Sequence, residues 1–516
     1  MHHTRHSTFK SEFSHLSFVS FFSKLTMASQ DSHQLHFIFI PFPAQGHMIP
    51  MFDIAHLFAW RGVLVTIITT TLNAARFKNR IDRAIESGLR IRLAEFRFPC
   101  QEAGLPDGSE NLDVTAPELL TNFINAVNLL QQPIEQYLQE QQPCPSCIIS
   151  DTNVIWTSET ASKLEIPRIF FRGMCCFSLL CLHNTHHYKS HENVASESEP
   201  VAVPGLPHRI EILKSQLPHS NLNNLDFQKL HKIRSIDADA KSYGVVVNSF
   251  SELENEYLEY YQKAMGKKVW TVGPVSLCNK EMSDKAARGN KASINEHECL
   301  SWLNSRKPNS VVYVCFGSQC RHSPSQLIQI GLGLEASNQP FVWVIRDVVE
   351  PAKVEEWLSE GFEERVKERG LIIRGWAPQI LILSHPAIGG FLTHCGWNST
   401  LESICAGVPV LAWPLFGEQF LNEKYLVQVL RIGVDLGVFL GANKFERDDN
   451  ADVLVKMETV KNGVERLMDE GDEGEERRKR AREFGKKASR AMEEGGSSYI
   501  NMTLLIEDIM DQAIKK

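Results

Sequence analysis

From residue 35 onward the chain alternates short, unbroken apolar runs with longer stretches in which apolar residues recur at helical spacing. Residues 35–41 (LHFIFIP) are apolar almost throughout and end on prolines, as a strand buried on both faces should. A helical stretch over 46–60 comes next, then a second apolar strand at 63–69. Further strands are expected at 91–96, 147–150, 168–171, 245–248 and 269–271, with helical patterns between most of them. Apolar residues thin out at 279–295 (NKEMSDKAARGNKASIN), where charged and small residues dominate. The alternation then restarts, with strands at 311–315, 341–345, 371–374, 388–393 and 408–413, and a terminal helix at 499–514. Alternating buried strands and helices define doubly wound α/β domains. The expected organisation is an extension without order at 1–33, an N-terminal domain at 34–278, a linker at 279–295, a C-terminal domain at 296–498 and a last helix at 499–516. Ligands of such folds bind beyond the carboxyl ends of the strands, so the cleft between the two domains is the expected site.

Composition narrows the function classes. Hydrophobic residues make up 43% of the 516 and charged residues 22%, which excludes wholesale disorder. Lys+Arg total 54 against 62 Asp+Glu, a net charge of −8 that speaks against a nucleic-acid partner. No run of about 20 apolar residues occurs, so no membrane-spanning helix is expected. The twelve cysteines are scattered, several of them inside apolar runs, and read as reduced and cytoplasmic. Cys144 and Cys147 form the one Cys-x-x-Cys pair, with Pro145 inside it and no second pair at zinc spacing. Residues 1–26 carry a short apolar stretch broken by serines and no small-residue cleavage site, so they read as a dispensable extension ahead of a second start at Met27. A monomer is expected.

Candidate chemistry lies at strand ends. Gly331, Gly333 and Ala336 match a loosened dinucleotide fingerprint, but they fall inside a helical pattern instead of a strand-to-helix turn. His47 follows the first strand and the breakers Pro41, Pro43 and Gly46, where α/β enzymes keep reacting groups. Asp151 ends another strand on the same rim; it could orient the imidazole, or cap a helix beginning at Thr152. After the strand at 388–393 comes a tight turn, His394-Cys-Gly396-Trp397, with Asn398-Ser399 opening a helix. The free N–H groups and dipole of a helix start suit a phosphate, and His394 could add a hydrogen bond. Ser399 and Glu402 also read as a capping box. Trp376, in a loop after a strand, could stack a nucleobase or fill a core.

Residues 376–419 resemble the plant secondary-product glycosyltransferase box of the UDP-dependent glycosyltransferase family. The stretch begins Trp-Ala-Pro-Gln, contains His-Cys-Gly-Trp-Asn-Ser-Thr-Leu-Glu and ends Glu-Gln. Phe-Pro-Ala-Gln-Gly-His47, the segment from Val247 to Glu254, Val272-Gly-Pro274 and Cys315-Phe-Gly-Ser318 resemble further family landmarks in the same order. The resemblance implies a GT-B fold, α/β with two Rossmann-like domains facing across a cleft. By position it implies Trp376 stacked on uracil, with Ala377 and Gln379 beside the base and ribose. Glu402 would hold the ribose hydroxyls; His394, Asn398, Ser399 and Ser318 would hold the diphosphate. Trp397, Glu418 and Gln419 would meet the sugar, and a terminal Gln is similar to that of glucose users. His47 matches the family's general base and Asp151 the carboxylate that orients it. The implied activity is inverting transfer of glucose from UDP-glucose to a hydroxyl of a small lipophilic plant metabolite of the flavonoid, triterpenoid, steroid or hormone class. No metal or other cofactor is expected. The alternatives are the same enzyme with another UDP-sugar donor, or a non-catalytic nucleotide-sugar or metabolite binder, the reading had His47 or Asp151 been absent; an oxidoreductase rests on the two helical glycines alone.

Overall fold

β1 (His36–Ile40) is buried at every position because strands flank it on both edges and helices cover both faces. In this computed structural model, which describes residues 34–217, 226–346, 350–438 and 455–515, it is the third strand of a seven-stranded parallel sheet. The others are β2 (Leu64–Thr70), β3 (Ile91–Phe96), β4 (Cys147–Asp151), β5 (Arg168–Arg172), β8 (Gly244–Val247) and β9 (Lys268–Thr271), in the order β3-β2-β1-β4-β5-β8-β9. Between β5 and β8 lies a small antiparallel hairpin, β6 (Pro200–Ala202) with β7 (Glu211–Leu213). The second sheet is also parallel: β10 (Val311–Cys315), β11 (Phe341–Ile345), β12 (Gly370–Arg374), β13 (Ile388–Thr393), β14 (Val410–Ala412) and β15 (Gly433–Asp435), in the order β12-β11-β10-β13-β14-β15. The two expected doubly wound α/β domains are therefore present, and the extension at 1–33 with its start at Met27 lies outside the described residues.

Each sheet reverses direction of winding once, between β1 and β4 in the first and between β10 and β13 in the second. Loops leave the sheet on opposite sides at such a point and open a crevice there. His47, Asp151, Ser318 and His394 lie at or just beyond the carboxyl ends of β1, β4, β10 and β13. Gly331 and Gly333 lie within the helix Pro324–Ala336; a Cβ on Gly333 would sit 2.6 Å from that of Val460, so this glycine serves helix packing.

Three features depart from the sequence pattern. The segment 279–295 is no loose spacer: it contains the helix Met282–Ala286 and buries Arg288 in the cleft. The last helix, Ser497–Ile514, packs against the N-terminal domain, where Met502, Leu505 and Ile509 share a core with Phe37, Phe58 and Val65. Its Asp508 pairs with Lys268 at 2.6 Å and accepts from the Tyr243 hydroxyl at 3.0 Å. Finally, the domains share one apolar core, in which Phe177 stacks on Tyr425 at 4.8 Å and the Tyr425 hydroxyl donates to the Leu253 carbonyl at 2.7 Å. Among the described residues no helix is long and apolar enough to cross a membrane, and no group of three His, Cys, Asp or Glu side chains is placed to hold a metal.

Candidate active site in the cleft between the sheets

His47 lies in the first turns of the helix Gln45–Trp60. Its Nδ1 is 2.6 Å from Asp151 Oδ2, and the imidazole side chain is 28% exposed while the carboxylate is fully buried. Asp151 is the last residue of β4, and its other oxygen accepts from the Asn153 backbone N–H at 2.8 Å and side-chain amide at 3.0 Å. It caps no helix, since the next one begins at Thr157. A carboxylate held in this way fixes the ring and draws the proton onto Nδ1, which puts the basic lone pair on Nε2. Phe42 packs edge-on against the ring at 5.6 Å.

Across the cleft, β13 ends in a turn in which Cys395 adopts a left-handed φ of 64° and Gly396 precedes the helix Trp397–Ala406. The helix starts without a side-chain cap and without an acidic residue in its first turn. The capping box expected of Ser399 and Glu402 does not form: Ser399 Oγ accepts from Gln379 Nε2 at 3.0 Å, and Glu402 Oε2 accepts from the same amide nitrogen at 2.7 Å. The helix start, whose Asn398 and Ser399 line the cleft, thus has no side chain on its first N–H groups, which suits a diphosphate. The His394 ring fits between two glycines: a Cβ at Gly317 would lie 2.5 Å from it, and one at Gly396 2.4 Å. Burial, helped by nearby His322, pulls its pKa down to about 4, so at neutral pH it offers a hydrogen bond and no charge.

A cleft of about 650 Å³, part of it open to solvent, joins these elements. It is lined by Ser318, Trp376, Ala377, Gln379, Asn398, Ser399 and Glu402 from one domain and by Gln45, Gly46 and Ile49 from the other. Asn398 Nδ2 donates to the Gly46 carbonyl at 2.6 Å, so the helix start that faces a phosphate is tied to the residue before His47. Gln45 Oε1, Trp376 Nε1 and Asn398 Oδ1 are buried without a partner among the described residues, as groups that serve a ligand often are. Trp376 is anchored through its backbone, which exchanges hydrogen bonds with Ser293 at 2.8 and 3.0 Å. Its ring lies against Gly289 and under the Arg346 guanidinium, 4.7 Å from the ring centroid. If a base stacks on this ring, Trp376→Ala lowers UDP affinity by about 1–3 kcal/mol while kcat at saturating donor changes less. Titration calorimetry checks this, and unchanged affinity would make the indole core filling.

The structure does not gather every residue expected of the site. The Trp397 indole is 1% exposed, lies in the shared core and donates to the Asn248 carbonyl at 2.8 Å, which leaves its backbone as the part expected to meet a sugar. Gln419 is buried, with Oε1 accepting from the Leu415 and Phe416 N–H groups at 2.9 and 3.0 Å, which leaves its NH₂ as the group able to address a sugar; Glu418 beside it is half-buried. Neither lines the cavity. Conversely, Lys285, Arg288 and Arg346 do line it, and no sequence pattern points to them. Two of them belong to the segment expected to be a linker, whose low apolar content is its only signal. A second, smaller cavity on the N-terminal side is largely apolar, lined by Ile40, Pro43, Met48, Ile68, Phe96, Val127 and Trp156 among others.

Comparison with known proteins places this geometry. The family described as UDP-glucoronosyl and UDP-glucosyl transferase matches residues 220–439, and the glycosyltransferase N-terminal domain matches 33–277. UDP-glycosyltransferase 73C12 of Barbarea vulgaris is 53% identical over 93% of this chain and 98% of its own length. UDP-glycosyltransferase 73C3 of Arabidopsis thaliana is 52% identical over 94% and 99%. Among solved structures, Glycyrrhiza uralensis UGT73P12, complexed with glycyrrhetinic acid 3-O-monoglucuronide, superposes with a TM-score of 0.87 at 39% identity, covering 93% of this chain and 96% of that one. Arabidopsis thaliana UGT89C1, complexed with UDP-L-rhamnose, gives 0.71 at 30% identity over 93% and 100%.

Proposed function

The chain belongs to the plant UDP-glycosyltransferase family, with the GT-B fold, and we propose that within it this protein is an inverting O-glucosyltransferase. It would take glucose from UDP-glucose to a hydroxyl of a small lipophilic plant metabolite of the flavonoid, triterpenoid, steroid or hormone class. In this reading His47 Nε2 accepts the hydroxyl proton as the oxygen attacks the anomeric carbon. The new bond forms opposite the breaking bond between that carbon and the β-phosphate oxygen, and UDP leaves with the electron pair. Asp151 holds the imidazole and offsets its charge after proton transfer. The leaving diphosphate is met by the start of the helix Trp397–Ala406, by Ser318 and by neutral His394, with Lys285 as a nearby cation. No metal or other cofactor enters the reading, and the protein would work in the cytoplasm as a monomer.

The observation that carries this proposal is the Asn398–Gly46 hydrogen bond, which sets the phosphate-facing helix start one residue from the His47–Asp151 pair. A base and a leaving-group site so close together are what a direct displacement needs. The apolar cavity sharing Met48 with the helix of His47 supports a lipophilic acceptor. Screening UDP release across such acceptors tests the proposal: acceptor-dependent release from UDP-glucose supports it, and release indifferent to every acceptor overturns it.

Donor choice is tested separately. Gln419→His is expected to lower the kcat/KM for UDP-glucose and to narrow its advantage over UDP-galactose, because the amide NH₂ is the part of Gln419 left for a sugar. Competition assays with both donors measure it. Faster turnover of UDP-galactose or UDP-glucuronic acid by the unaltered protein would refute the glucose assignment.

A further inference from the structure

Arg288 lies in the segment between the domains, yet its side chain is only 7% exposed and reaches the cleft. Its Nε donates to Asp53 Oδ2 at 3.0 Å and its Nη2 lies 3.0 Å from the same oxygen. Its Nη1 donates to Glu402 Oε1. Asp53 is fully buried in the helix that carries His47, where Arg80 at 2.6 Å and the Asn279 amide at 3.2 Å also hold it. Glu402 accepts from Gln379 through its other oxygen. Arg80, Asp53, Arg288 and Glu402 thus form a row of alternating charge running from the N-terminal domain to the wall of the donor cavity. Burial works against the charge on Arg288, and Glu402 and Asp53 more than offset it, so its pKa lies above the ordinary arginine value.

Such a row does more than bind two domains together. Glu402 is itself buried, and a buried carboxylate with a single partner can swing about its side-chain torsions. With Arg288 on one oxygen and Gln379 on the other, both oxygens are fixed and the plane of the carboxylate is set. Each oxygen keeps lone-pair capacity for a further donor. Arginine suits the task because its planar fork grips Asp53 with two nitrogens while a third reaches Glu402; a lysine has one nitrogen for both.

We propose that Arg288 is a positioning residue for nucleotide recognition: it orients Glu402 so that the carboxylate accepts from both ribose hydroxyls of the donor. This rests on the reading of the cavity as a UDP-sugar site, and it makes the inter-domain segment a working part of that site. A ribose whose hydroxyls are absent gains nothing from an oriented Glu402, and that separates orientation from mere stability.

The test compares the affinities of UDP and 2′,3′-dideoxy-UDP by titration calorimetry on the full chain. The unaltered protein is expected to prefer UDP by about tenfold or more, since a site built to bond a hydroxyl rejects the analogue lacking it. In Arg288→Met the preference is expected to shrink to within about threefold, mainly by loss of UDP affinity. Arg288→Lys should recover only part of it, and it stands in as the informative variant should Arg288→Met fail to fold. In Glu402→Gln the preference should also collapse, and adding Arg288→Met should reduce it no further. A variant at 288 that is less stable but keeps the full preference would show a clasp between domains and overturn the proposal. Failure of the unaltered protein to bind UDP would overturn the functional reading itself, and a preserved preference in Glu402→Gln would remove both Glu402 and Arg288 from ribose recognition while leaving UDP binding in place.

Discussion

His47→Ala is expected to lower transfer to an unactivated hydroxyl by about 10²–10⁴-fold, the usual worth of a positioned general base, with UDP binding unchanged. The cleft is lined by Gln45, Gly46 and Ile49 but not by the imidazole, so its removal should leave a nucleotide bound there undisturbed. Asp151→Asn also lowers kcat, because the amide no longer holds the Nδ1 proton as a carboxylate does. It costs more order locally, since Asp151 Oδ1 also supports the Asn153 turn at 2.8 Å. If Asp151 acts through His47, the two losses do not add, and the double variant is little worse than His47→Ala alone. An acidic phenol as acceptor is less sensitive to both changes than an aliphatic alcohol, because it loses its proton with less help. Steady-state kcat for the two single variants and the double, with circular dichroism as a folding check, measures this. Full activity in His47→Ala or strictly additive losses would remove the mechanism and leave the fold standing.

Trp397→Ala is expected to act on stability. The indole fills part of the core that both domains share and satisfies the Asn248 carbonyl at 2.8 Å. Emptying a buried tryptophan site costs about 3–5 kcal/mol, or roughly 6–20 °C in Tm for a domain of this size. Below the melting transition, the preference between sugar donors should be unchanged. Thermal denaturation and donor competition at low temperature report the two effects separately. A reversed sugar preference at unaltered Tm would return the Trp397 indole to the sugar site.

The contrast between these two residues shows how far the chain's pattern is legible. His47 and Asp151 can be placed because buried parallel strands are continuous apolar runs, and the turn past each carboxyl end lies on the rim of the crevice by construction. β3, β10, β11 and β13 occupy the expected positions for the same reason. β6, β7 and β15 are three residues each and, unlike the equally short β14 inside the apolar run 408–413, carry no long apolar run around them. The orientation of Trp397 is not legible either. As the first residue of its helix it could face the cleft or the shared core, and only the packing of Asn248 across the domain boundary decides. Arg288 is hidden more deeply, since a charged residue in a charged segment ordinarily lies in solvent. Its partners Asp53 and Glu402 are 235 and 114 positions away, beyond any local pattern.

The docking of the last helix onto the N-terminal domain bears on how the two domains keep their register. The chain passes between domains at 279–295 and returns ahead of Ser497, where the final helix is fastened by Asp508 to Lys268 and by Arg61 over the Tyr499 ring at 3.7 Å. Two bodies joined by one strand of chain can twist, tilt and slide independently. Pinned at two places, and packed along the shared core of Phe177 and Tyr425, they lose most of that freedom. The two crossings and the Asn398–Gly46 hydrogen bond together hold the His47 rim and the start of the helix Trp397–Ala406 in one register.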